Sequence, residues 1–299
     1  MDDFAIVYFM TDWRADLAAQ LSVNLTSLDI LGLDGRKIRR YLTIAGPVDR
    51  AAREFLCARE VEVVQRDRLT LDHPLPNKAL IEVSRPHRVV MYCDLDVVFL
   101  KDPTPKFIES AEDGRFLARP DLMDPLCQWS AFPFPLAYCL RGVGRFVWRL
   151  LKARYRRGLA KGPLVPYFNS GVFLCPGEVL PSLTRHWWRA CSRLLRARRR
   201  RYPHAFFFTF HFYEQLSLSL GLEGSGIPFG CLGAEYNFVP AIDLQNEICG
   251  GLPAVCHLLT GLRQWYSVDG VSPQPGNEEV YKRVREVIAV DNSLKNRFA

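Results

Sequence analysis

Residues 88–100 read Arg-Val-Val-Met-Tyr-Cys-Asp-Leu-Asp-Val-Val-Phe-Leu. Two aspartates, Asp94 and Asp96, stand one residue apart inside an otherwise apolar run. Val, Tyr and Phe favour a buried strand, and side chains at i and i+2 of a strand leave on the same face. The run therefore predicts a buried strand that ends with two carboxylates side by side. Carboxylates buried that close together disfavour each other's charge unless something positive sits between them. A divalent cation meets the need, and oxygen ligands suit Mg or Mn. The plainer alternative is a strand end whose aspartates merely cap a turn.

Upstream, Phe4 to Met10 reads as a first strand, followed by the polar turn Thr11-Asp12. Asp16 to Leu31 carries apolar residues at helical spacing, Arg40 to Ile44 reads as a strand, Ala51 to Arg59 as a short helix and Val61 to Val64 as a strand. Asn77 to Ser84 reads as helical and leads into the Asp-x-Asp strand. This alternation predicts an α/β fold with a mostly parallel central sheet flanked by helices on both faces. Such sheets bind nucleotides beyond the C-terminal ends of their strands. The chain has no G-x-G-x-x-G and no G-x-x-x-x-G-K-[ST], so neither a dinucleotide fold nor a P-loop is supported.

Downstream, Phe168 to Leu174 reads as an apolar strand opened by Asn169-Ser170-Gly171. Ala205 to Leu222 reads as an aromatic-rich helix or strand-helix containing Glu214-Gln215. Cys231 to Val239 contains Tyr236-Asn237, Ala254 to Trp265 reads as another apolar strand running into a turn, and Glu278 to Val290 as a closing helix. With no internal repeat and no low-complexity linker, one domain over 1–299 is the simplest division. It would comprise a nucleotide-binding half at 1–110, a second half at 111–270 with a basic helical insertion, and a C-terminal helix at 271–299.

The 299 residues and an apolar fraction of 48% supply a core. No stretch reaches the length of a membrane span; Pro125 to Leu140 carries prolines and a Gln. Met1-Asp2-Asp3 runs straight into a strand and reads as neither signal nor transit peptide. Nine cysteines without C-x-x-C read as reduced thiols of a cytoplasmic protein, and the Asn24-Leu25-Thr26 sequon is then irrelevant. The net charge of +7 hides an asymmetry: Arg141 to Arg201 holds 16 Lys or Arg against one acid, Glu178, and the remainder holds 23 against 31. Two helix-like stretches carry the excess, Arg141 to Lys161 with Phe146 and Trp148, and Thr184 to Arg201 with Trp187 and Trp188. Cations and rings at helical spacing fit an anionic membrane surface, at the inner face of which the protein would be peripheral, or an anionic substrate, or simply a solvated face. No nucleic-acid motif accompanies the charge, so nucleic acid ranks low.

His257 closes the strand predicted at Ala254, and Gly261 and Arg263 follow it. A lone His on an apolar strand is commonly a core residue. Joined to Asp94 and Asp96 it would complete a metal site, tilting the choice from Mg toward Mn, and an arginine nearby would add directional hydrogen bonds to a diphosphate.

From Phe4 to Trp265 the chain resembles the GT-A glycosyltransferases, most of all the group containing glycogenin and the bacterial lipopolysaccharide glucosyl- and galactosyltransferases. Asp94 and Asp96 match the D-x-D of that family, Asn169-Ser170-Gly171-Val172 its N-[SA]-G-V segment, Glu214-Gln215 its acid-Gln pair, and Tyr236-Asn237 its Y-N turn. His257 to Trp265 resembles its H-x-x-G-x-x-K-P-W signature. Departures are Thr260 before a late Gly261, Arg263 for Lys, Gln264 for Pro and Glu214 for Asp. The resemblance implies a GT-A fold and transfer of a hexose from a nucleotide diphosphate sugar, a UDP-sugar, with retention of configuration. It implies metal ligands Asp94, Asp96 and His257. Donor contacts would come from Thr11, Asp12, Lys78, Asp94, Gly261 and Arg263, and Asn169, Glu214 and Gln215 would lie by the reacting sugar. The acceptor could be a glycan, lipid-linked or protein. Asp121 and Asp124 could line the sugar pocket or form a turn. Two rivals remain: a haloacid-dehalogenase-type phosphohydrolase with Asp94 as nucleophile, lacking here a later paired-acid motif, and a non-catalytic basic protein binding membranes or RNA.

Overall fold

The computed structural model describes residues 4–33, 38–70, 75–120, 168–201, 210–240, 243, 245, 248, 251–258 and 275–291. The N-terminal half follows the predicted alternation: β1 (Phe4–Met10), α1 (Ala15–Ile30), β2 (Arg39–Ile44), α2 (Arg50–Ala58) and β3 (Val61–Gln65). β1 pairs parallel with β2, and β2 with β3. After Phe4 every residue of β1 is buried. Ile6, Tyr8 and Met10 enter one core cluster, while Ala5, Val7 and Phe9 enter another on the opposite face. A strand covered on both faces reads as a continuous apolar run, as β1 does. α2 is capped by Asp49, whose Oδ1 accepts from the Ala52 N–H at 2.7 Å. The sequon asparagine, Asn24, is buried in α1, where its Oδ1 accepts from Tyr8 Oη at 2.7 Å.

Asn77–Ser84 is not a helix; a short 3-10 segment, Leu75–Leu80, takes its place. Asn77 commits its side chain to the backbone of residues 69 and 70, and Pro86 lies two residues past the expected end, so regular helix gives way to turns. Residues 88–100 are also not one strand. β4 (Val89–Cys93) stops before Asp94, Asp94-Leu95-Asp96 turns, and β5 (Val97–Phe99) leaves for a separate sheet with β9 (Val255–His257). The two Val-Val runs find different partners, and a turn, not the pleat of a strand, brings the carboxylates together.

The main sheet has seven strands in the order β3-β2-β1-β4-β7-β6-β8, with β6 at Phe116–Pro120, β7 at Phe168–Pro176 and β8 at Phe229–Cys231. β7 runs antiparallel to β4 and β6, and the other pairs are parallel. Asn169-Ser170-Gly171 therefore lies inside β7, beyond the C-terminal end of β4, and the Asp94 N–H donates to Gly171 O at 2.7 Å.

α3 (Thr104–Asp113) and α1 cover one face of the sheet, α4 (Leu180–Arg201) and α5 (Phe210–Ser225) the other. α6 (Glu278–Val290) packs on α1 through Val280, Tyr281 and Val284. α4 is the predicted basic helix, but Trp187 is not on its outer face. Trp187 is fully buried against Phe173, and its Nε1 donates to Glu214 O at 3.1 Å and Ser217 Oγ at 3.0 Å. A Cβ on Gly221 would stand 2.8 Å from Trp187 Cα, so glycine is what lets α5 approach α4 this closely. Arg141–Lys161, with Phe146 and Trp148, lies outside the described residues, as do Asp121 and Asp124. Among the described residues no helix is long and apolar enough to cross a membrane.

Candidate active site

β1 and β4 end at one cavity of about 450 Å³, whose lining includes Thr11, Asp12, Arg68, Lys78, Asp94 and Asp96. This is the place where a mostly parallel α/β sheet presents its strand ends to a ligand. Thr11 and Asp12 follow β1 directly, and Asp12 pairs with the Arg68 guanidinium. Lys78 is buried, with Nζ 2.8 Å from both oxygens of Asp94 and 3.7 Å from Glu214 Oε1. Tyr92 donates its hydroxyl to Asp94 Oδ1 at 2.5 Å. Burial disfavours charge on Lys78, but Asp94 and Glu214 outweigh it and push its pKa up, so it stays a cation. Burial and Asp94 both push Tyr92 up, so it stays a donor.

His257 ends β9, and the antiparallel register sets it opposite Val97, beside the Asp94–Asp96 turn. Its Nε2 lies 3.4 Å from Asp96 Oδ1 and 4.0 Å from Asp94 Oδ2. A chain of amides orients the ring. The Gly171 N–H donates to Asn169 Oδ1 at 2.9 Å, which identifies that atom as the oxygen. Asn237 Nδ2 donates to the same oxygen at 3.0 Å, so Asn237 Oδ1 faces His257 Nδ1, at 3.1 Å. Nδ1 must then carry a proton, and Nε2 is turned toward the carboxylates. A second hydrogen bond of this kind is how ligating histidines are held in tautomer and orientation. Gly171 leaves room for the ring; a Cβ there would lie 2.2 Å from His257 Cε1.

Burial alone would raise Asp96, but His257 and Lys78 hold its carboxyl below the usual range. Burial likewise opposes charge on His257, and Asp96 and Asp94 prevail to raise it. One ligand atom each from Asp94, Asp96 and His257 lies within 4.8 Å of the others. Two carboxylates and an oriented imidazole fit a divalent ion, with the proton favoured on Nε2 standing where the ion would bind.

Glu214 projects from α5 and is buried. Burial raises its pKa to about 7; Lys78 opposes the rise and Asp94 adds to it. Gln215 is half-buried on the same helix, about 100° around the axis from Glu214. Of the predicted site residues, Lys78, Asp94, Asp96, Asn169, Glu214 and His257 come together, and Thr11 and Asp12 line the cavity floor beside them. Gly261 and Arg263 lie outside the described residues. Arg68 and the Tyr92 hydroxyl have no part in the sequence reading of the site, and Asn237 enters it only through the Y-N turn of the resemblance, with no role attached. Tyr92 had a signal, since the strand predicted over this run sets residues 92 and 94 on one face. Nothing local connects Asn237 or Arg68 to the cluster.

No protein-family model matches the chain, and no curated protein sequence matches it. Solved structures do. The galactosyltransferase LgtC, in complex with donor and acceptor sugar analogues, is similar at a TM-score of 0.55 and 18% identity over 96% of each chain. The glycosyltransferase GlyE of Streptococcus pneumoniae TIGR4 is similar at 0.54 and 14% identity over 99% of this chain and 64% of that one. The bifunctional glycosyltransferase WbbM is similar at 0.58 and 12% identity over 99% of this chain and 51% of that one. At such identities the likeness is one of fold: the chain has the GT-A fold of these glycosyltransferases.

Proposed function

We propose that this protein is a glycosyltransferase that moves a hexose from a UDP-sugar to an acceptor hydroxyl, with a divalent metal held by Asp94, Asp96 and His257. The convergence of those three ligand atoms within 4.8 Å, beside a cavity at the strand ends, carries the reading. A bound Mn or Mg ion supplies Lewis-acid neutralisation of charge on the leaving diphosphate. Lys78 adds a fixed cation at the same place, and its buried position makes that charge count for more than it would in water. Arg263, by the resemblance, adds a directional donor from beyond Gly261. Thr11 and Asp12 face the nucleoside. Asn169, Glu214 and Gln215 face the sugar, where carboxylate and amide oxygens favour the oxocarbenium-like carbon. Retention of configuration follows from the resemblance.

The phosphohydrolase reading needs Asp94 as a free nucleophile. Lys78 Nζ stands 2.8 Å from both of its oxygens and Tyr92 donates to one of them, which lowers its nucleophilicity. The deciding test is Asp96→Asn. It should abolish Mn-dependent UDP binding in calorimetry while the apo protein unfolds within about 1 kcal/mol of wild type. Unchanged UDP affinity in Mn would place the metal elsewhere.

A further inference from the structure

A second cavity, of about 550 Å³, lies between the loop at Leu69 and Thr70 and the outer face of α4. Thr70 lines this cavity and the strand-end cavity alike, so one thin wall separates the two. Asn77 pins that wall. It is fully buried, its Oδ1 accepts from the N–H groups of Leu69 at 2.8 Å and Thr70 at 3.0 Å, and its Nδ2 donates to Thr70 O at 3.0 Å. Its neighbour in sequence is Lys78, the cation of the candidate active site.

The far side of the second cavity is cationic. Arg189 and Arg193 stand one helical turn apart on α4, and both are exposed. α4 contains eight arginines and no acid, and among the described residues no acidic side chain pairs with Arg189 or Arg193. Trp188, half-buried against the core, and Leu69 add an apolar surface. Two guanidinium groups at this spacing can grip one phosphate by paired N–H donors, and an indole beside them suits the apolar face of a sugar ring.

We propose that this cavity is an acceptor subsite that holds the phosphate of a phosphorylated acceptor. The proposal rests on the glycosyltransferase reading. The cavity adjoins the donor site, so an acceptor anchored there reaches toward the reacting sugar, and the Asn77 staple keeps the wall between anchor and donor at a set position. The phosphate can belong to a soluble phosphosaccharide or to a lipid headgroup.

The test uses the full chain and an Arg189→Ser/Arg193→Ser variant, whose exposed positions leave the core untouched. Calorimetry with glucose 6-phosphate, with glucose as the neutral control, forms one arm. Co-sedimentation with phosphatidylglycerol/phosphatidylcholine vesicles forms the other. UDP with Mn is titrated into both proteins. Phosphate-dependent binding that weakens about tenfold or more in the variant, with UDP affinity equal in both, is the expected result. Arginine dependence in the first arm assigns a soluble phosphosaccharide, and in the vesicle arm alone a lipid headgroup. No binding, or equal binding by both proteins, in both arms overturns the proposal. Failure of wild type to bind UDP in Mn, with arginine-dependent phosphate binding intact, sinks the donor reading and leaves an anion site.

Discussion

Among the described residues, two of the places where the protein buries charge are built differently. Arg119 and Asp243 form a closed pair: Nη2 donates to Asp243 Oδ1 at 2.7 Å, Nη1 to Oδ2 and also to Asn237 O at 2.7 Å. The Val239 N–H meets Asp243 Oδ2 at 2.6 Å. One positive and one negative group satisfy each other. The strand-end cluster does not close. Asp94, Asp96 and Glu214 face Lys78 and His257, and Glu214 Oε1 is buried without a hydrogen-bond partner. A buried pair that balances is scaffolding; a buried set with acid in excess is built to take something positive. The two are also joined. Arg119 holds the backbone carbonyl of Asn237, and the Asn237 side chain orients His257.

The contrast breaks most visibly at Asp243. Asp243→Ala leaves Arg119 charged and unpaired in the interior, and should cost about 3–5 kcal/mol in urea unfolding. A cost under about 1 kcal/mol would mean the pair is not structural.

Glu214→Gln should act in the opposite sense in the metal-free protein. The folded pKa of Glu214 is raised from 4.5 to about 7. Its contribution to stability is therefore fully present below pH 4.5 and lost as pH rises through about 7. The Gln variant escapes that loss, so its stability relative to wild type should climb between those pH values and level off at about 3 kcal/mol. A flat difference would show that Lys78 fully compensates the carboxylate.

The smallest expected effect belongs to the joint between the two regions. Asn237→Ala keeps the carbonyl that Arg119 holds but removes the group facing His257 Nδ1. Mn affinity, read directly by electron paramagnetic resonance of free Mn, should fall about 10–100-fold. An unchanged affinity would leave His257 oriented by the β9 backbone alone.

Much of the fold is legible locally. Phe4–Met10 and Glu278–Val290 begin and end where hydrophobic pattern sets them, because period and length are properties of neighbouring residues. The chemistry is legible in part for the same reason: Asp94, Asp96 and His257 stand at strand ends that local pattern locates, whereas Lys78, on the 3-10 segment Leu75–Leu80, is marked only by the resemblance. The sequence by itself thus determined the strand-helix alternation, the acid pair and the residue types a metal needs. Tertiary structure decided the rest. It split residues 88–100 between two sheets, because β5 found β9 some 160 residues away, Val97 opposite His257. It drew Trp187 into the core, because α5 offers it Glu214 O, Ser217 Oγ and the space over Gly221. And it set the tautomer of His257 through Gly171, Asn169 and Asn237, a series of hydrogen bonds between segments that meet only when β7 runs back antiparallel beside β4. Directional bonds between distant segments depend on the packed fold, and no local pattern encodes them.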